Sequence, residues 1–301
     1  MHRFVSLSVS LSVSVGVMAS ALLVWPTGVY SHHPKGVTYG IFQFPKGKVP
    51  PIDGNPRDWE IVPESYLIDG SHLSDTVMGK GTNMDPKDLA VEVRVGWSPE
   101  TNRLYFFYKV YDDMFNFNDV LARGDVFEVV LDAEHSGERY HTFEDVTEDI
   151  EAKLKSTTCQ NYHIYTPPSK SKPWCWVWGS QQWLIEKPYG EAAYTYDFKL
   201  KESGVLLLEF YITPFNYASF RGPDYSAVHK LVENEIVGLS WSILDHDEKD
   251  AEYEGFWNLS HHTRMCATAS LLPNFRLMPV GAEAPLVIRK TENEKKEKQE
   301  K

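Results

Sequence analysis

The chain is short of cysteine, of positive charge and of long apolar runs, and each shortage closes off a class of protein. Three cysteines, Cys159, Cys175 and Cys266, are an odd number and cannot all pair within one chain. Their spacing does not match a zinc site. Two readings stay open: a bridge between Cys159 and Cys175, which flank what reads as a hairpin, or three unrelated buried thiols. Lysine and arginine total 30 against 42 aspartates and glutamates, a formal net charge of −12. An acidic body repels phosphate backbones, so nucleic acid is not an expected partner. Beyond the N-terminus no apolar stretch reaches the ~20 residues a membrane-spanning helix needs. The sequence also lacks a G-x-S-x-G elbow, an H-E-x-x-H pair, a phosphate loop and a dinucleotide fingerprint. Helical periodicity is scarce, with short helices expected only over residues 143–155 and 225–234.

Aromatic side chains, by contrast, are plentiful: 9 tryptophans and 16 tyrosines, residue types that suit both β-strands and the flat faces of sugars. Many of them sit in period-two runs. Val91, Val93, Val95 and Trp97 share one face while Glu92 and Arg94 point the other way. A turn-rich stretch over residues 98–102 follows. Leu104, Phe106, Tyr108 and Val110 then alternate again, which reads as an antiparallel hairpin. Phe127, Val129 and Leu131 repeat the pattern, as do Leu206, Leu208, Phe210 and Ile212, and finally Val237, Leu239, Trp241 and Ile243. Many short strands, each apolar on one face, predict an all-β fold: an antiparallel β-sandwich of two sheets, immunoglobulin-like or jelly-roll-like. A long aromatic insert, residues 135–183, interrupts it.

The ends read differently. Residues 1–31 are expected to be a signal peptide, with His2 and Arg3 as a basic start, an apolar stretch over residues 13–25 and cleavage after Ser31. That places the mature protein outside the cytoplasm, secreted or periplasmic. A membrane enters only if the segment is retained as an anchor. Residues 32–49 form a linker or edge segment, residues 50–280 a single domain, and residues 281–301 a charged tail expected to be disordered.

Sugar rings need a flat apolar platform with polar groups around it. On a strand, Trp174, Trp176 and Trp178 would point to one side, ~6.6 Å apart, close to the spacing of successive sugar rings. Trp183 lies nearby, and Trp257 is placed to oppose them across a groove. Trp59, Trp97 and Trp241 read as core. His141, His163, Gln181, Gln182, Asn258 and His261 are the candidate polar partners. The acidic run over residues 245–254 offers Asp245, Asp247, Asp250 and Glu252 as oxygen ligands for Ca²⁺, which takes six to eight, without the glycine of an EF-hand loop.

The order of segments is the most specific feature. Ile52-Asp53-Gly54 with Asp58-Trp59 opens the domain. Leu104-Tyr105 then leads to Val110-Tyr111-Asp112. Next come Gly124-Asp125-Val126-Phe127-Glu128 with Asp132, then Glu209-Phe210-Tyr211-Ile212-Thr213-Pro214, and last Gly238 with Asp245-His246-Asp247. This series resembles the family 9 carbohydrate-binding modules over nearly all of residues 50–280. It departs from them at Thr213, which separates Ile212 from Pro214, and in the long insert. The resemblance implies non-catalytic binding of an oligo- or polysaccharide, structural calcium and no organic cofactor. Relatives of this fold also bind haem, so an electron-transfer domain with His163 and Met114 or Met265 as axial ligands is an alternative. It would lack the C-x-x-C-H attachment motif. A glycoside hydrolase using Glu128, Asp132 or Asp245 is a third.

Overall fold

Period-two runs become strands where one face can be buried, and they frame the computed structural model, which describes residues 34, 36–117, 124–247 and 253–285. In chain order the strands are β1 (Thr38–Gln43), β2 (Ile68–Asp69), β3 (Ser74–Asp75), β4 (Leu89–Ser98), β5 (Arg103–Asp112), β6 (Val126–Asp132), β7 (Gln160–Tyr165) and β8 (Cys175–Val177). They continue with β9 (Gly190–Thr195), β10 (Gly204–Ile212), β11 (Phe215–Tyr217), β12 (Ala227–Val228), β13 (Ile236–Asp245), β14 (Gly255–Asn258) and β15 (Asn274–Leu277). One layer runs β8-β7-β6-β13-β15, with β14 on β13 and β3 on β14. The other runs β4-β5-β10-β9, with β2 on β4. The alternating apolar sets all meet between the layers: Val91, Phe106, Val129, Leu208, Trp241 and their strand-mates form one buried cluster. Burial of this kind contributes ~25 cal/mol per Å² and dominates folding. Trp97 and Trp241 lie in that cluster, as expected.

The sheets are mixed rather than wholly antiparallel. Strand β1 runs parallel to β15 over Thr38–Ile41 and parallel to β4 at Phe42 and Gln43. It therefore crosses from one layer to the other and joins them into a single 13-stranded sheet curled on itself. The segment expected as a linker or edge thus supplies a strand that is paired on both sides. Gly96 permits this, because a Cβ there would lie 2.2 Å from the Phe44 ring.

A second apolar cluster covers part of the outer face of the β4-β5-β10 layer, where Phe44, Trp59, Tyr66, Phe107 and Tyr211 pack together. Its lid, the loop around Asp53-Gly54, is held by a buried carboxylate. Glu209 accepts from Gly54 N at 2.8 Å and Asp53 N at 3.2 Å. Gly54 has φ +84, and a Cβ on it would meet Thr195 Oγ1 at 2.6 Å.

Of the two expected helices, one is present and one is not. The helix over residues 143–155 is real but shorter, α1 (Glu148–Leu154), capped by Thr147 with three acidic residues in its first turn. Beyond Tyr225, which ends a 3-10 turn over Pro223–Tyr225, residues 226–234 are not helical. Ala227 and Val228 pair instead with Tyr217 and Phe215, making a separate two-stranded sheet with β11. Extended pairing there satisfies backbone groups that an isolated short helix would leave open. A bridge between Cys159 and Cys175 is also excluded. Cys175 opposes Ile164 in the ladder, five positions from Cys159, which is about 16 Å along a strand. Bridged cysteines need Cα atoms within ~7 Å. All three thiols are free.

Candidate functional site

Four adjacent strands carry a polar residue at the same ladder position on the face turned away from the main core. Trp176 on β8 opposes His163 on β7, which opposes Glu128 on β6. Glu128 opposes Ser242 on β13, and Ser242 opposes Asn258 on β14. Each polar member of this row is buried. They are wired together: Asn161 Nδ2 donates to Glu128 Oε1 at 2.8 Å, Asn258 Nδ2 to Ser242 Oγ at 3.0 Å, and Ser260 Oγ to Asn258 Oδ1 at 2.6 Å. Apolar patches flank the row. Val126, Tyr165, Leu244 and Phe256 lie on one side, and Val130, Tyr140, Met265 and Leu272 on the other.

The row is not fully satisfied. His163 Nδ1 and Ser240 Oγ, both buried, have no hydrogen-bond partner, and neither does His141 Nε2. Buried polar atoms are paired in most proteins, so orphans that converge on one face mark a place for a ligand or water. Burial also sets the charge state. It pushes the Glu128 carboxyl up to about 7, against the lowering effect of its hydrogen bonds from Asn161 and Ser242. Burial drives His163 down to about 3 and His141 down to about 4. His163 Nε2 stands 3.7 Å from Glu128 Oε1, so the two face each other as a neutral imidazole and a carboxyl that titrates near neutrality.

The expected platform splits. Trp176 and Trp178 share the outer face, with ring centroids 6.2 Å apart and planes tilted by 30°. Both are half-buried. Trp178 is enclosed, by His141 edge-on at 4.0 Å and His163 at 5.3 Å, with the Lys155 ammonium 5.9 Å from its ring. Trp176 touches the rings of His163 and Trp178. Trp174 does not join them. It precedes β8, its ring turns onto Phe210, and its indole N–H donates to Ile185 O. The strand begins only at Cys175, so period-two alternation does not extend back to residue 174. Trp183 packs edge-on against Phe215 and Tyr189 and donates to Ser219 O.

Trp257 opposes nothing across a groove. It faces the main core beside Ile243 and is fully buried, because its neighbour Asn258 takes the outward position. Gln182 clamps the edge of β8 through Val177 and Gly179, Gln181 donates to Lys153 O, and His261 bonds His72 O. None of these three lies in the row. The row's central residue, Glu128, and its neighbours Asn161 and Ser242 were not among the expected ligand contacts. Their signal is in the sequence: polar residues interleaved with the inward-facing residues of strands whose other face is mostly apolar.

A second constellation is acidic. Asp112 ends β5, Asp125 precedes β6 and Asp245 ends β13, and these three buried residues bring carboxylate oxygens within 4.8 Å of one another. Asp88, Asp113 and Asp247 form an adjoining set within the same distance. Asp125 accepts from Asn116 N and His246 N, but Asp245 Oδ2 and Asp247 Oδ1 have no partner. Among the described residues no lysine or arginine pairs with the buried three. Burial first, and repulsion from neighbouring carboxylates after it, push Asp245 up to about 9 and Asp112 to about 7, with Asp125 raised as well. Three converging carboxyls, one of them with an orphaned oxygen, and no organic cation fit a hard divalent ion. Of the expected ligands, Asp245 and Asp247 are here, whereas Asp250 and Glu252 lie outside the described residues. The partners contributed by β5 and β6 come from distant parts of the chain.

No family model matches the sequence, and no curated protein matches it. Among solved structures, the chain is similar to a carbohydrate binding module family 9 from Caldicellulosiruptor kristjanssonii in complex with glucose, at 14% identity and a TM-score of 0.49 over 81% of this chain and 97% of that one. The same module in complex with cellotriose gives 14% identity and a TM-score of 0.49, over 83% and 99%.

Proposed function

We propose that the protein binds a saccharide non-catalytically on the outer face of the β8-β7-β6-β13-β14 layer. The observation that carries this reading is the junction of a half-buried indole pair with a buried, incompletely satisfied polar row. Trp176 offers a ring-sized apolar surface at the end of the row, and His163, Glu128, Ser242 and Asn258 offer donors and acceptors beside it. A pyranose has the matching halves, an apolar C–H face and a rim of hydroxyls. Neutral His163 presents a lone pair or N–H, depending on its tautomer, at the orphaned Nδ1. Glu128 is the one carboxyl in the row, whereas glycoside cleavage needs two carboxyls flanking the bond. Binding without turnover is therefore the reading supported.

We also propose that Ca²⁺ occupies the acidic constellation, held by Asp112, Asp125 and Asp245, with Asp247 beside them. There it would displace the protons that burial favours on these carboxyls and balance the negative charge left behind. Export is part of the proposal, and it rests on residues 1–31, which lie outside the described residues.

A glycan array on the protein, with and without chelator, tests the reading. Binding to at least one neutral glycan class is expected, with affinity falling about tenfold or more in Trp176→Ala, the loss of ~1.4 kcal/mol or more. Unchanged affinity in Trp176→Ala would remove the indole from the site. Reducing-sugar release by the wild type would overturn the non-catalytic reading.

A further inference from the structure

The two carboxylate sets of the acidic constellation differ in one respect. Among the described residues, the buried set, Asp112, Asp125 and Asp245, has no basic partner, whereas the adjoining set, Asp88, Asp113 and Asp247, has Lys80. Lys80 Nζ stands 3.9 Å from Asp88 Oδ2 and 3.5 Å from Glu254 Oε1. A hydrogen bond links the Glu254 and Asp247 carboxyls, a contact that needs a proton between them. The ammonium therefore stands beside a group of four carboxyls, Asp88, Asp113, Asp247 and Glu254. Both of its ion pairs are long, and partly exposed pairs of this kind contribute only ~0–1 kcal/mol. Pairing alone does not explain why the charge sits there.

The backbone explains it. Asp75, buried on β3, accepts from Lys80 N at 2.8 Å, from Val77 N and Met78 N at 3.2 Å each, and from Phe256 N at 3.1 Å. Asp75 N donates to Gly81 O at 2.7 Å, and Gly79 and Gly81 close the turn with left-handed φ angles of +80 and +62. One carboxylate thus fixes the loop that carries Lys80 and ties it to β14, the strand that Glu254 leads into. The Lys80 stem runs beside Trp257, whose ring centroid is 6.0 Å from Nζ.

Divalent ions such as Ca²⁺ bind where carboxylate oxygens converge. In both sets the oxygens lie within 4.8 Å of one another, so spacing alone would give each set an ion. Lys80 separates the two cases. We infer that Lys80 limits the constellation to one divalent ion: its tethered ammonium neutralises the adjoining set, and Ca²⁺ takes the buried set, which no side-chain cation reaches. Like charges this close repel, so the ammonium also opposes a second divalent ion arriving beside it. The inference rests on the proposed calcium reading and adds to it the number of ions and the residue that sets that number.

Calorimetric titration of the full chain with Ca²⁺ at pH 8, after chelator treatment and dialysis, tests this. One equivalent is expected for the wild type and for Lys80→Arg, which keeps the charge. Two are expected for Lys80→Met, which keeps an apolar stem beside Trp257, and for Lys80→Gln, which is also uncharged. Lys80→Met/Glu254→Gln should return to one, because it removes a carboxyl from the adjoining set alone. Two equivalents on the wild type, or one on both Lys80→Met and Lys80→Gln, would overturn the inference and leave the calcium reading standing. No heat of binding and no Tm shift with Ca²⁺, in wild type and variants alike, would remove the calcium reading and the inference with it.

Discussion

Glu128 shows most directly how burial of a single side chain sets behaviour. Its carboxyl ordinarily titrates at 4.5 and is raised by burial to about 7. Below 4.5 it is protonated in folded and unfolded chains alike. Between 4.5 and 7 it stays protonated only when folded, so stability declines as pH rises through that window and levels off above it. Glu128→Gln keeps the acceptor for Asn161 and abolishes the decline. The variant should be more stable than wild type at pH 8, by up to ~3 kcal/mol, and close to it at pH 4, as read from urea unfolding at both values. His163 acts in the other direction: it is neutral when folded, and its contribution is lost as pH drops from 6.5 toward 3. The tryptophans separate by the same measure. Trp174→Ala removes an indole tilted against Phe210 and should cost about 3 kcal/mol with little effect on sugar affinity. Trp176→Ala should do the reverse.

Loops and strand ends are the next scale. Glu209 on β10 holds the Asp53-Gly54 loop against the sheet through two backbone N–H groups. Glu209→Ala leaves both donors without their acceptor, and a loss of about 1–3 kcal/mol in chemical unfolding is expected, with faster proteolysis near residue 54. At the ends of β5 and β13 the acidic constellation works against the fold unless a cation is supplied. Added Ca²⁺ at pH 8 should raise Tm by several degrees. A saturating ion at ~100 times its Kd adds ~2.7 kcal/mol, and each kcal/mol moves a domain of this size by roughly 2–4 °C. Protons compete for the same oxygens, so the gain should shrink as pH falls. Asp245→Asn should abolish most of it. An equal Tm with calcium and with chelator at pH 8 would refute the ion.

For the whole molecule, the decisive element is β1, which pairs with β15 in one layer and β4 in the other. Through it the two layers share one hydrogen-bonded sheet, and a single unfolding transition seen alike by circular dichroism and tryptophan fluorescence is expected. A chain starting at residue 34 should fold, whereas one starting at residue 50 should not, because it loses the buried Tyr39, Ile41, Phe42 and Phe44. How much of this was legible beforehand follows from what kind of information each feature needs. Alternation in β4, β5, β6, β10 and β13 was enough to name strands, inward faces and a two-layer core, because side-chain direction in a strand repeats every two residues and needs no partner. The same rule misplaced Trp174, which lies before its strand begins, and Trp257, expected across a groove, takes the inward position instead. Parallel pairing by β1, the polar row from Trp176 to Asn258, and the meeting of Asp112, Asp125 and Asp245 depend on ladder register between distant segments, the farthest being Thr38 and Asn274. Register is a property of paired strands, so local sequence fixed which side chains face together along each strand, and only the packed sheet decided which of them meet.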